Sequence, residues 1–167
     1  MTKSLFASLL LLVAGIAQAE TTVTLEGVHN CCKSCTNGIV KAGTSVKDVT
    51  VTADGETVTV VAKSKANAKK AVEAILEAGY YGKSSEESVS TLATTKTEKK
   101  LTEATVTGAH LCCQKCVNAM TEAVKAVPGV TEYNIVNKEK TFTVKGEFTE
   151  SALLASMNKA GFHGTVK

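Results

Sequence analysis

Hydrophobic and polar residues follow one order twice along this chain. In the first half, Val23 and Leu25 alternate with polar neighbours, which is typical of a half-buried strand. Apolar residues at helical spacing follow, and Asp54-Gly55 predicts a tight turn between two further strands. The predicted elements are strands at 21–27, 46–53, 57–62 and 80–83 and helices at 33–43 and 67–78.

The second half repeats this order of strand, helix, strand, strand, helix and strand. Thr149 is expected to cap its second helix, and Pro128-Gly129 to end its first. The predicted elements are strands at 101–108, 130–136, 140–146 and 162–166 and helices at 115–127 and 149–159. This is the split βαβ arrangement, so we expect an α+β chain with two tandem ferredoxin-like βαββαβ domains.

Two segments lie outside the repeated halves and differ from them in composition: one precedes the first half and one connects the two halves. Residues 1–19 carry Lys3, an apolar run from Leu5 to Ile16 and the tripeptide Ala17-Gln18-Ala19, as secretory signal peptides do. The run is short for a membrane anchor, so cleavage after Ala19 is expected. The predicted domains are a signal peptide at 1–19, a first domain at 20–84, a flexible Ser/Thr/Glu/Lys-rich linker at 85–100 and a second domain at 101–167.

The charge of the chain and its predicted leader limit the classes of function that it can have. The formal net charge is only +3, aromatic residues make up 4% and every basic residue is lysine, which argues against nucleic-acid binding. The leader predicts an exported protein, periplasmic or secreted, without stable membrane insertion after cleavage. Export places its thiols where disulfides can form.

The candidate chemistry lies in a duplicated heptapeptide, H-x-C-C-x-x-C. It occurs at 29–35 and, 81 residues later, at 110–116. The two copies hold all six cysteines and two of the three histidines. The candidate metal ligands are Cys31, Cys32, Cys35, His29, Cys112, Cys113, Cys116 and His110. Two thiolates suit linear Cu(I), three suit trigonal Cu(I), and three with an imidazole form a Cys3His set typical of zinc.

Each copy lies where a strand leads into a helix, whose free N–H groups stabilise thiolates. Lowered pKa values and reactive thiols are therefore expected. Lys33 and Lys115 are either charge partners of these thiolates or solvated residues, and His163 is expected at the surface. Three other interpretations of the cysteines remain: buried core residues, structural disulfides such as Cys32–Cys35 or a bridge between halves, and C-x-x-C redox catalysis.

The stretch from Cys116 to Val130, CVNAMTEAVKAVPGV, resembles the heavy-metal-associated domain family, which includes copper chaperones and periplasmic mercury-binding proteins. Ala-Gly-Tyr at 78–80 and Ala-Gly-Phe at 160–162 match the family's late motif. The resemblance covers both halves and implies a ferredoxin-like fold. It also implies metal ligation by Cys32 with Cys35 and by Cys113 with Cys116, and packing of Tyr80 and Phe162 near the metal loop.

This chain departs from the family's Gly-Met-Thr before the first ligand, with two inserted residues, an extra cysteine and a histidine. The ion is therefore open: Cu(I) is favoured, and Zn(II), Cd(II) or another soft divalent ion is the alternative.

We expect an exported protein, not an enzyme, that binds soft metal ions for transport, hand-over or sequestration. Its expected partners are metal ions and a metal-transporting membrane protein or another metal-binding protein. The alternatives are a thiol–disulfide redox protein and a module held by disulfides, which predicts no free thiols.

Overall fold

The computed structural model describes residues 20–89 and 98–167. The predicted leader and residues 90–97 of the predicted linker lie outside the described residues. In the first half the elements are β1 Thr21–Glu26, α1 Lys33–Gly43, β2 Val49–Asp54, β3 Thr57–Ala62, α2 Lys65–Glu77 and β4 Lys83–Ser84. In the second half they are β5 Lys100–Thr107, α3 Gln114–Lys125, β6 Val130–Tyr133, β7 Thr141–Thr149, α4 Glu150–Lys159 and β8 Thr165–Val166.

Each half forms a four-stranded antiparallel sheet with two helices packed on it. The strand orders are β2-β3-β1-β4 and β6-β7-β5-β8, so the first strand of each half lies inside its sheet. Helices α1 and α2 contact each other and the sheet, as do α3 and α4 in the second half. The predicted α+β class and the repeated order of elements are confirmed, and each half resembles the ferredoxin-like fold.

The core of each half lies between the helices and one face of the sheet. Strand residues alternate between buried and exposed, since successive side chains point to opposite faces. The largest fully buried side chains are Leu25, Ile39 and Ile75 in the first half and Met120, Phe142, Leu153, Met157 and Phe162 in the second. Among the described residues, no helix is both long and apolar enough to cross a membrane.

Element boundaries differ from the predictions where a local interaction decides them. Helix α2 begins at Lys65 instead of 67, because the Ser64 hydroxyl caps it by accepting a hydrogen bond from the Asn67 N–H (3.2 Å). Strand β2 begins only at Val49, because Asp48 has a positive φ of 59°. Thr149 caps α4 as predicted, accepting a hydrogen bond from the Ala152 N–H.

The last strand of each half is shorter than predicted, because its first residue pairs with the other half. Tyr80 and Phe162 form an antiparallel bridge between the halves. The Tyr81 N–H donates to the Gly161 carbonyl (3.0 Å), and the His163 N–H donates to the Gly79 carbonyl (2.9 Å). The two Ala-Gly-aromatic segments therefore join the halves through their backbones.

Glycine is needed at the centre of this junction. Gly79 has φ of +93° and Gly161 has φ of +82°, which other residues rarely adopt. A Cβ at Gly161 would overlap the His29 amide nitrogen, and one at Gly79 would lie 2.5 Å from the Gly108 carbonyl oxygen. No side chain fits between either glycine and the backbone of the opposite half, so glycine at both positions allows this close approach.

Residues from both ends of the predicted linker contact the sheets. The Ser85 N–H donates to the Thr24 carbonyl (2.8 Å), and Val89 is fully buried. At the other end, the Glu150 N–H donates to the Lys99 carbonyl (3.1 Å), and Lys100 already belongs to β5.

We expect Gly161→Ala to separate the halves as well as to strain the backbone. Gly108→Ala is the matched control, because Gly108 has a similar φ of +86° and nothing within 4 Å of an added Cβ. The control should lose about 1 kcal/mol of unfolding free energy from backbone strain alone. Gly161→Ala should lose more, and small-angle X-ray scattering should show a larger radius of gyration. Equal behaviour of the two variants would contradict the role given to this junction.

Candidate metal centre

The cysteine loops lead directly into helices α1 and α3. Cys32 and Cys113 are the N-cap residues, both with extended backbone, and neither helix has a side-chain cap. Cys35 and Cys116 lie in the first helical turn and are fully buried. The uncapped N–H groups and the positive helix ends therefore lie beside the thiols.

The two loops face each other, and their six sulfur atoms form one cluster. Within the first loop, the Cys35 sulfur lies 3.7 Å from those of Cys31 and Cys32. The second loop repeats this, with the Cys116 sulfur 3.6 Å from those of Cys112 and Cys113. Thiols four or fewer residues apart thus converge in each loop, as the sequence predicts.

Distances between the loops are as short as those within them. The Cys35 sulfur lies 3.4 Å from that of Cys112 and 3.7 Å from that of Cys116. The Cys31 sulfur lies 3.6 Å from those of Cys113 and Cys116. The two predicted sites therefore form a single thiol site, on which both halves converge.

The histidines lie beside the cluster in a crossed arrangement. The ring of His110 stacks on Tyr80 of the first half (3.9 Å between centroids), and the ring of His29 stacks on Phe162 of the second half (4.4 Å). Tyr80 and Phe162 thus pack beside the cysteine loops, although each contacts the histidine of the opposite loop.

One nitrogen of each histidine ring is left for a further interaction. His110 Nδ1 lies 2.7 Å from the Gly79 carbonyl oxygen and therefore donates a hydrogen bond to it. Nε2 of His29 and of His110 is buried and has no hydrogen-bond partner among residues 20–89 and 98–167. The ligand atoms of His29, His110 and Cys116 lie within 4.8 Å of one another. The histidines therefore converge on one cysteine across the halves, whereas the sequence suggested a Cys3His set in each loop.

Crowding shifts the thiol pKa values in both directions. The backbone N–H of Cys116 lowers the pKa of Cys113 to about 7. The Cys116 thiol donates a hydrogen bond to Cys35, which lowers the pKa of Cys35 and raises that of Cys116. Burial raises the pKa values of Cys31 and Cys112 to about 12. The expectation that all these thiols are acidified is therefore wrong for Cys31, Cys112 and Cys116, because burial and neighbouring thiolates outweigh the helix N-terminus.

His163 differs from its predicted surface position. It is half-buried, and burial lowers the pKa of its imidazole. Its backbone belongs to the junction between the halves, and its side chain is not among the groups that converge on the thiols. Gly79 and Gly161, which bring the loops together, were not predicted as functional residues from the sequence. Their recurrence before an aromatic residue in both halves was the available signal.

Comparison with known proteins finds a family match within the second half. Residues 105–163 match the sequence model of the heavy-metal-associated domain, a range that includes Cys112, Cys113 and Cys116. Among curated proteins, none matches the chain. The N-terminal soluble domains of Bacillus subtilis CopA are 19% identical, with 90% of this chain and 95% of that chain covered and a TM-score of 0.32. The water-soluble region of the P-type ATPase CopA from Bacillus subtilis is 16% identical, with 90% and 93% covered and a TM-score of 0.30.

We expect the reduced, metal-free thiols to react at very different rates. At pH 8 most of Cys113 is thiolate, because its pKa lies below that pH. Only about one Cys112 side chain in ten thousand is ionised there, because its pKa is raised to about 12. Iodoacetamide labelling, read by fragmentation mass spectrometry, should modify Cys113 well before Cys112. Equal labelling of these adjacent cysteines would contradict the assigned pKa shifts.

Proposed function

We propose that this protein binds soft metal ions, Cu(I) foremost, through the thiols of both H-x-C-C-x-x-C loops. The observation that carries the proposal is the convergence of six free cysteines on one site, with sulfur–sulfur distances down to 3.4 Å. Thiolates are soft metal ligands, and a structural disulfide would use only two of the cysteines that converge here. The heavy-metal-associated domain at 105–163 supports the same conclusion.

The surroundings of the thiols favour a bound cation. Several buried thiolates repel one another, so a positive ion between them removes the main obstacle to their ionisation. Helices α1 and α3 have no acidic residue in their first turns, so nothing there competes with the thiolates for the ion. Zn(II), Cd(II) and other soft divalent ions are the competitors to Cu(I) at such a site.

Partial exposure of the site suits hand-over of the ion. Cys32 and Cys113 are partly exposed, whereas Cys35 and Cys116 are buried. An incoming thiolate can replace the outer ligands first while the inner ones still hold the metal. We therefore infer binding for hand-over or sequestration, without catalysis, with a metal-transporting membrane protein or another metal-binding protein as partner.

The same sulfurs favour one alternative function. Cys35 and Cys112 lie 3.4 Å apart, so a small movement would join the halves by a disulfide. A thiol–disulfide redox protein would use this pair and work without metal. The two functions differ in whether reduced protein retains metal against a chelator.

Replacement of cysteines by serine tests the metal assignment. We expect the reduced protein to hold Cu(I) against a chromophoric Cu(I) chelator under nitrogen. The double variant Cys35→Ser/Cys116→Ser should lose at least tenfold in affinity, because both buried ligands are gone. Ser88→Ala changes an exposed position outside both cysteine loops, leaves all six thiols in place and is the control. Unchanged copper retention by the double variant would show that the site is elsewhere, and no retention by the parent protein would favour the redox function.

We also propose export, on the strength of the leader-like residues 1–19. Mass spectrometry of the protein from its native cells should give a mature N-terminus at Glu20, in the periplasmic or secreted fraction. Replacing Leu9, Leu10 and Leu11 by charged residues should leave the protein uncleaved inside the cell. An intact Met1 terminus on cytoplasmic parent protein would refute this proposal.

A further inference from the structure

The six thiols are arranged as overlapping triads. The sets of three cysteines whose sulfurs lie within 4.8 Å of one another include Cys31/Cys32/Cys35, Cys31/Cys113/Cys116, Cys32/Cys112/Cys113 and Cys35/Cys112/Cys116. Every cysteine occurs in two of these four triads. Three of the triads combine cysteines from both halves, so the pattern exists only while the loops face each other.

These triads give the shape of the sulfur cluster. Each cysteine shares triads with four others and shares none with a fifth, as Cys31 shares none with Cys112. Six points related in this way are the corners of an octahedron, and the four triads are alternate faces of it. Exchanging the two halves converts these faces into the other four, which are bounded by the same short sulfur–sulfur distances.

The octahedron selects the coordination number of the ion. A tetrahedral ion needs four mutually close thiolates, but any four corners of an octahedron include one opposite pair. Opposite corners of an octahedron lie farther apart than the corners of one face, so a set of four of these thiols is less compact than each triad. A trigonal ion with bonds as long as the zinc–thiolate bond, about 2.3 Å, needs sulfurs about 4 Å apart. The sulfurs of two faces, Cys31/Cys113/Cys116 and Cys35/Cys112/Cys116, lie 3.4–3.7 Å apart, slightly closer than this. Three-coordinate thiolate binding is typical of Cu(I), whereas structural zinc sites are almost always tetrahedral.

We propose that the protein binds four Cu(I) ions as one cluster, with an ion on each of four alternate faces and each thiolate bridging two ions. The inference rests on the proposed function and specifies its cargo and stoichiometry. Six thiols release six protons and four Cu(I) ions bring four positive charges, so the cluster carries two negative charges. No electron is transferred, because copper enters and stays as Cu(I).

The surroundings suit a cluster of that charge. The N-termini of α1 and α3 both lie beside it, with cysteines as N-cap residues and no acidic side chain in either first turn. Lys33 and Lys115 add positive charge in those same turns. The junction at Gly79 and Gly161 holds the two sets of thiols at a fixed separation, so the bridging positions exist before the metal arrives.

Anaerobic titration of the reduced, purified protein with Cu(I) in acetonitrile tests the stoichiometry. Native mass spectrometry should show metal-free protein giving way directly to a monomer with four copper ions, with little of the intermediate species. X-ray absorption should show copper bound by three sulfurs with a copper neighbour. Saturation at two ions without a copper neighbour would overturn the cluster and leave the proposed function standing. Absence of bound copper would overturn both, and four ions found only in a dimer of chains would overturn the intrachain cluster.

The variants Gly161→Ala and Gly108→Ala distinguish a four-ion cluster from metal binding without a cluster. Gly161→Ala keeps all six thiols but disturbs the junction, so it should still bind Cu(I) and lose the four-ion species. Gly108→Ala should keep that species. Cys32→Ser removes one bridging thiolate without touching the junction, and it should also fall below four ions. A four-ion species in Gly161→Ala or in Cys32→Ser would overturn the proposal.

Discussion

Close approach of Gly79 and Gly161 to the backbones of the opposite cysteine loops is the constraint on which this site depends. Gly79 and Gly161 adopt positive φ angles and leave no room for a side chain between the halves. Their carbonyls accept hydrogen bonds across the junction, from His163 and Tyr81. The aromatic residues that follow them are thereby placed on the histidines of the opposite loops. Because the backbones meet at this distance, the two sets of thiols meet as well.

Electrostatics explains why such a site calls for a cation. Six neighbouring thiols cannot all ionise without strong repulsion between the thiolates. The pKa values are accordingly lowered for two of them, Cys35 and Cys113. They are raised for Cys31, Cys112 and Cys116. A monovalent soft ion shared between thiolates neutralises this repulsion stepwise. In the metal-free protein Cys31, Cys112 and Cys116 therefore stay protonated, and a bound soft cation would replace their protons and stabilise the fold.

The fold of each half was predicted well from the sequence, because hydrophobic periodicity and turn residues depend on packing within that half. Helix α1 has the predicted bounds, and Thr149 caps α4 as expected. The clustering of Cys31, Cys32 and Cys35 also followed from spacing alone. Contact between the halves did not, because backbone atoms of glycine-containing loops make it and leave no hydrophobic pattern. The same contact decided the shorter last strands, the crossed histidines and the raised pKa values of the thiols.

Covalent duplication has a consequence for behaviour at low abundance. Two copies of a cysteine loop on separate molecules must associate to share a site, so that site is lost when the protein is diluted and the molecules dissociate. Here the second loop follows the first by 81 residues of the same chain, so its effective concentration is fixed by the connecting segment and by the junction. The composition of the shared site is therefore independent of how many copies of the protein are present. One molecule alone therefore carries all six thiols of the cluster.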